Sequence, residues 1–351
     1  MLGRPNQGIH GFLSRFVRYA THVYAFLNLA AEPFPGLGGR PGYRVDLEID
    51  PPGRQNRWTV AFRLVLAVPA IFLAVTIVGS ASAYDVVVAS QTETRSLSLL
   101  AVAAVLGWFA AVALGRIPQG LRDLVAYALS YGAQLWAYLL ILTDRYPSGD
   151  PLAAFEPLPT RADPVRMEND DDPRRSRLTV FFRLPLAVPH LVWLSLWGIL
   201  ALLAAVACWF ATLATGSSPQ RLHRFLAAYL RYQLHVGAFL YLVGNPFPGF
   251  TGADGTYPVE LRVAERVPQN RWRVFFRLPL ALPALLLAAA YGSMLLVVAV
   301  LGWFAALFTG RMPVGPRNAG ALALRYTAQL YGYLFLVTES YPYSGPCFEA
   351  R

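Results

Sequence analysis

Lysine is absent: all 30 basic residues of this 351-residue chain are arginine. Arginine keeps its charge, pairs bidentately with phosphate and snorkels at a lipid interface. Charge of either sign is scarce, at 14% of residues against 56% apolar. That balance excludes an ordinary soluble domain. There are two cysteines, Cys208 and Cys347. They suggest neither a disulfide framework nor a metal site, and Cys208 reads as a small packing residue.

Enzyme signatures are missing. The chain has no phosphate-cradling glycine loop ending in Lys-Ser/Thr, no His-Glu-x-x-His and no Gly-x-Ser-x-Gly. The expectation is a protein that is not an enzyme, with no catalytic residues and no cofactor. Asp170-Asp171-Asp172 stands beside Arg174 and Arg175 and reads as a solvated, self-paired cluster. No carboxylate falls in the middle of an apolar run, which argues against a proton- or cation-coupled carrier. His190 is the one histidine inside such a run and reads as a packed side chain. Arg15, Arg18 and His22 interrupt the opening stretch, which therefore does not read as a secretory leader.

What the chain does have is one phrase written three times. It runs from Asn56 to Pro69, from Ser176 to Pro189 and from Asn270 to Pro283. Each copy opens an apolar run that leads to Trp108-Phe109-Ala110, Trp209-Phe210-Ala211 or Trp303-Phe304-Ala305. Each run stops at a glycine with a proline shortly after: Gly115 and Pro118, Gly216 and Pro219, Gly310 and Pro313. This is a helix stop with a mechanism. A third helical segment follows, with Tyr131, Tyr232 and Tyr326 at equivalent places, and a fourth copy around Tyr19 opens the chain. Short alternating segments, Tyr43–Ile49, Pro164–Glu168 and Tyr257–Val263, precede the phrases and read as half-exposed strands.

Runs above 18 apolar residues are long enough to cross a bilayer. The run from Val180 to Thr215 would make about 54 Å of helix, too long for one crossing. The polar insert Ser80–Ser96 in the first unit divides its run in two. The expectation is therefore a hairpin of two spans per unit, with tight turns near Gly198 and Gly292. Arginines crowd the hairpin bases, at Arg54, Arg57, Arg63, Arg116, Arg271, Arg273, Arg277 and Arg311, while the tips carry Arg95 alone. The positive-inside rule then puts every base in the cytoplasm. The third segments either lie in the interface or span, giving six or ten spans.

The fold class expected is an all-α integral membrane protein. It has three tandem helical-hairpin units in parallel orientation, interfacial amphipathic helices and short cytoplasmic strand-like segments. The units are 43–150, 151–250 and 251–351, after a partial repeat at 1–42. Three like-oriented hairpins suggest a pseudo-threefold axis along the membrane normal.

Candidate binding residues are the repeated arginines: Arg57 with Arg63, Arg177 with Arg183, Arg271 with Arg277, and Arg18, Arg231 and Arg325 on the third segments. Guanidinium forks suit phosphate and anionic headgroups. The same residues also serve as interface anchors, or as partners for Glu32, Asp144 and Glu339. The net charge of +10 spreads along membrane boundaries, which points to anionic lipid and not to nucleic acid. The expected partners are membrane lipids, with another membrane protein as a second candidate. The expected role is a non-catalytic lipid-interacting or assembly protein of the cytoplasmic membrane. The alternative is a transporter of lipid or small solutes with a path between the hairpins.

In combination, Arg57-Trp58 through Arg63 to Pro69, Trp108-Phe109-Ala110, Gly115-Arg116-Ile117-Pro118 and Arg231-Tyr232 resemble a family of bacterial multi-pass membrane proteins catalogued only as a domain of unknown function. The likeness covers nearly the whole chain, and the lysine-free composition resembles that of a high-GC actinobacterium. The middle unit departs from the pattern, with Ser217-Ser218 where its sisters carry Arg116-Ile117 and Arg311-Met312. The resemblance implies membrane location and fold, and no activity.

Overall fold

Every phrase builds the same start. A polar residue stands before a five-residue helix, a phenylalanine breaks it, and an arginine opens a longer helix. Asn56 and Asn270 accept the amides of Trp58 and Trp272, both at 2.9 Å. The computed structural model describes residues 6–39, 41–51, 53, 55–79, 98–153, 160–161 and 163–349. Arg54 and the insert 80–96, with Arg95, lie outside them.

Two bodies result, residues 1–156 with 344–346 and residues 157–343 with 347–351. The first holds helices α1 (Gln7–Leu27), α2 (Arg57–Ala61), α3 (Arg63–Ile77), α4 (Leu99–Leu114) and α5 (Gln119–Leu139). The second begins with strands β1 (Thr160–Arg161) and β2 (Val165–Asn169), followed by α6 (Arg177–Phe181), α7 (Arg183–Thr215) and α8 (Gln220–Leu240). It continues with β3 (Val259–Val263), α9 (Arg271–Phe275), α10 (Arg277–Thr309), α11 (Val314–Leu334) and β4 (Phe348–Glu349).

The hairpins expected within the second and third apolar runs are not formed. α7 and α10 run straight through Gly198 and Gly292 as single 33-residue helices, each about 50 Å long. Gly198 serves packing and not a turn, since a β-carbon there would lie 2.9 Å from the Tyr229 hydroxyl. The real hairpin joins each long helix to the 21-residue helix after it, α7 to α8 and α10 to α11. In the first body α5 packs along both α3 and α4. A β-carbon on Gly79, just past α3, would lie 2.9 Å from the hydroxyl of Ser98, the N-cap of α4. The turn expected in the first run falls on the insert, outside the described residues. Among the described residues, α7 and α10 are the two helices long and apolar enough to cross a bilayer.

The parallel orientation is also overturned, inside the second body. The Trp209 indole donates to the Val274 carbonyl at 2.9 Å, and the equivalent Trp303 donates to Val180 at 2.9 Å. Gln269 donates its amide to Gly216 O, and Arg175 to Gly310 O, each at 2.8 Å. Each long helix therefore ends against the start of the other, so α7 and α10 run antiparallel. β2 and β3 pair antiparallel in a register symmetric about Met167 opposite Leu261. A local twofold axis relates the two repeats, and the basic phrases at 176–183 and 270–277 stand at opposite ends of the long-helix pair.

Of the strand-like segments, the second and third form β2 and β3. Residues 43–49 contain no described strand and meet α1 through the Leu47 carbonyl, which accepts from Arg18 at 2.9 Å. Trp209→Phe and Trp303→Phe each lose one hydrogen bond. Each should cost about 1 kcal/mol in unfolding experiments, and the double variant about twice that.

Candidate functional site

The phrase arginines divide by depth. Arg57, Arg177 and Arg271 are exposed on the short helices. Arg63, Arg183 and Arg277 are buried at the mouths of the long helices, at 3%, 1% and 2% exposure. Each buried guanidinium spans the C-terminus of the 21-residue helix of its own unit and adds a side-chain donor to the carbonyls there, where the regular ladder of amides ends. Arg63 donates to Tyr138 O at 2.5 Å and Thr143 O at 3.1 Å. Arg183 donates to Phe239 O at 2.8 Å, and Arg277 to Tyr333 O at 2.6 Å. In all three the guanidinium carbon also sits 4.5 Å from the ring centroid of the residue it caps, Tyr138, Phe239 or Tyr333. Arg63 adds an ion pair to Asp144 at 2.6 Å, and Arg277 a bond to Gln269 at 2.9 Å.

A feature that the sequence reading missed lies in the same place. Leu29, Ile141, Leu242 and Leu336 follow the four 21-residue helices with φ of 62°, 62°, 63° and 58°. A left-handed residue that is not glycine costs about 1–2 kcal/mol. Three of these residues have their carbonyls held by side chains: Ile141 by Gln55 at 2.8 Å, Leu242 by Arg175 at 3.1 Å and Leu336 by Gln269 at 2.8 Å. The branched side chains at these helix ends give no turn signal of the usual kind.

The third-segment arginines are not equivalent. Arg18 and His22 on α1 meet Asp46 at 3.1 and 3.0 Å. Arg231 and His235 on α8 meet Glu260 at 3.1 and 3.6 Å. Arg325 on α11 is buried, between Cys347 and the Tyr343 carbonyl. His10 and His223 likewise contact the carbonyls of Leu142 and Val337, both at 3.2 Å. The four copies alternate in kind: α1 matches α8, while α5 matches α11 through Gln134 and Gln329, which accept the amides of Ser148 and Tyr343 at 2.9 and 3.0 Å.

Burial pushes the Asp46 and Glu260 carboxyls up. Backbone amides, the neighbouring histidine and, for Asp46, the charge of Arg18 outweigh burial and hold both below the ordinary value. A carboxyl whose folded pKa is depressed stabilises the fold above its unfolded pKa, and that contribution goes as pH falls through the folded value. Glu260→Gln should therefore flatten the acid limb of a stability-versus-pH curve below the usual carboxylate range, read by thermal unfolding.

The second body also holds an apolar groove of about 490 Å³. Equivalent positions of the two repeats line it: Leu191 and Leu285, Leu230 and Leu324, Gln233 and Thr327. The groove therefore lies on the local twofold axis. His190 lies outside it, hydrogen-bonded to the Tyr232 hydroxyl at 2.8 Å and packed on Phe247 and Phe250. Among the described residues, no group of three His, Cys, Asp or Glu side chains is placed to hold a metal ion.

The three repeats match a family described as a domain of unknown function (DUF4389), over residues 95–149, 177–251 and 271–344. These segments make up more than half of the chain. The chain belongs to this family. No curated protein and no solved structure matches it. The second and third DUF4389 matches begin at Arg177 and Arg271 and end beyond α8 and α11. Each so takes in one short helix, one long helix and its returning helix. The first match begins within the insert, close before α4.

Proposed function

We propose that this DUF4389 protein is a non-catalytic component of the cytoplasmic membrane that holds anionic lipid. The observation that carries this is the apolar surface of the long helices. Leu184, Val192, Ile199, Leu203 and Phe210 on α7 are 50% or more exposed, as are Leu278, Leu286, Leu296, Phe304 and Phe308 on α10. A helix apolar and open along this length needs lipid or a partner around it. The outward arginines Arg57, Arg177 and Arg271 supply the headgroup contacts, while Arg63, Arg183 and Arg277 work inside the fold. Assembly with another membrane protein uses the same apolar surface.

The groove lining offers Gln233, Thr327 and tyrosines as polar side chains and no Asp, Glu, Arg or His. That favours lipid holding over ion-coupled transport. The test is lipid analysis of the purified protein. Arg57→Gln, Arg177→Gln and Arg271→Gln together should cut the enrichment of anionic phospholipid several-fold. An unchanged lipid profile removes the headgroup role, and release of the chain from membranes by alkaline carbonate removes the membrane role.

A further inference from the structure

We infer that the second body lies in one leaflet without crossing the bilayer, with α7 and α10 parallel to the membrane plane and the groove open to acyl chains. This rests on the membrane reading above and goes further, because the local symmetry constrains how the body can sit.

A twofold axis that relates two antiparallel helices is perpendicular to both. If α7 and α10 crossed the bilayer, the axis would lie in its midplane. The β2–β3 pair stands on that axis, centred on Met167 and Leu261. It carries the exposed pairs Arg262–Glu168 at 3.3 Å and Arg262–Asp254 at 3.0 Å, with side-chain exposures of 45%, 38% and 58%. Crossing helices would hold these charges at the depth where they cost most.

Turning the axis onto the membrane normal removes the conflict. The contacts of α8 and α11 order the layers along the axis. Arg231, His235 and Gln329 point to the strands, reaching Glu260 and Val165 O. Leu230, Gly237, Leu324 and Tyr331 line the groove, about 100–160° away around their helices at 100° per residue. The sheet is thus on one side of the α8–α11 layer and the groove on the other. With the sheet in water, the groove opens toward hydrocarbon.

Length supports the same placement. Exposed apolar residues run from Leu278 to Phe308 on α10, about 45 Å of helix against a core of about 30 Å. Trp272, Phe275 and Phe276 extend the apolar surface beyond the N-terminal end of α10. A helix lying in the plane has no such length limit. The arginines at both ends of α7 and α10 then share one level at the headgroups. The groove's occupant is the acyl chain of a lipid in that leaflet. Gly292 lines the groove and has open space where a β-carbon would stand.

Single cysteines at Ser176, Ser217 and Arg262 in the full chain test this with a membrane-impermeant maleimide, applied to sealed vesicles of each sidedness. Both native cysteines are buried, so the unsubstituted chain is the blank. The expected result is labelling of all three sites from the same side. Any other pattern in a chain recovered with the membranes overturns the in-plane placement and leaves the membrane reading standing. Recovery in the soluble fraction overturns that reading itself. Gly292→Phe should lower the phospholipid retained per chain at least two-fold with the melting temperature unchanged, and undiminished retention removes the acyl-chain occupant.

Discussion

Arg183→Ala should lower the free energy of unfolding by about 3 kcal/mol, because it strands a helix terminus inside the protein. The side chain is 1% exposed and reaches the carbonyls of Phe239, Gly244 and Asn245. Alanine takes the guanidinium from all three carbonyls, leaving Phe239 O only a backbone amide at 3.2 Å, and opens a void over the Phe239 ring. Lysine should restore little, since one ammonium cannot reproduce a planar fork laid on an aromatic face. Arg63→Ala should behave alike and also leave Asp144 with the Asn56 amide but without its ion pair. Chemical unfolding in detergent measures both. A loss below about 1 kcal/mol for Arg183→Ala would show that water replaces the guanidinium, and the capping role would fall.

Gly252→Ala should be comparably harmful, for a backbone reason. Gly252 has φ of 57°, and a β-carbon there would lie 2.4 Å from Ala228 O and 2.9 Å from the Tyr232 β-carbon. The left-handed conformation costs alanine about 1–2 kcal/mol, and the contact with the α8 backbone cannot be relieved by turning a side chain. The loop must then move off α8, taking with it the Gly252 carbonyl that accepts from Arg231 at 3.1 Å. A drop of about 3 kcal/mol is expected, with faster amide exchange in β3 as the local signature. Gly39 meets α1 in the same way, with φ of 60° and a contact of 2.4 Å to Arg15 O. If Gly252→Ala exchanged its β3 amides at the unsubstituted rate, the loop would not be what clamps the strand.

The helix ends were the most legible part of the chain. Gly115, Gly216 and Gly310 end α4, α7 and α10 with φ of 66°, 80° and 71°, as the glycine-then-proline signal implies. The threefold repetition was legible too, because each copy must build the same start of helix. The path through the long runs was not. A continuous apolar run has no internal punctuation, and the assumption that it must cross a bilayer of fixed thickness suggested a turn that no residue encodes. Gly198 looked like that turn, while its actual neighbour is a tyrosine 31 residues later. The roles of the paired arginines were mixed for a similar reason. Spacing put Arg177 and Arg183 near one another, but only the break at Phe182 turns one outward and the other inward. The alternation of the four third segments, His235 with Glu260 on one and buried Arg325 on another, depends on partners far along the chain that no local pattern reveals.

The reciprocal contact between the two repeats of the second body has a consequence for assembly. Trp209 to Val274 and Trp303 to Val180 are one contact made twice, so the interface is isologous. A chain with a single such repeat would carry both halves of it and would be satisfied by a second copy of itself. The tandem arrangement is therefore a homodimer written into one polypeptide. Its partner is supplied at an effective concentration fixed by the connecting segment, whatever the abundance of the protein in the cell.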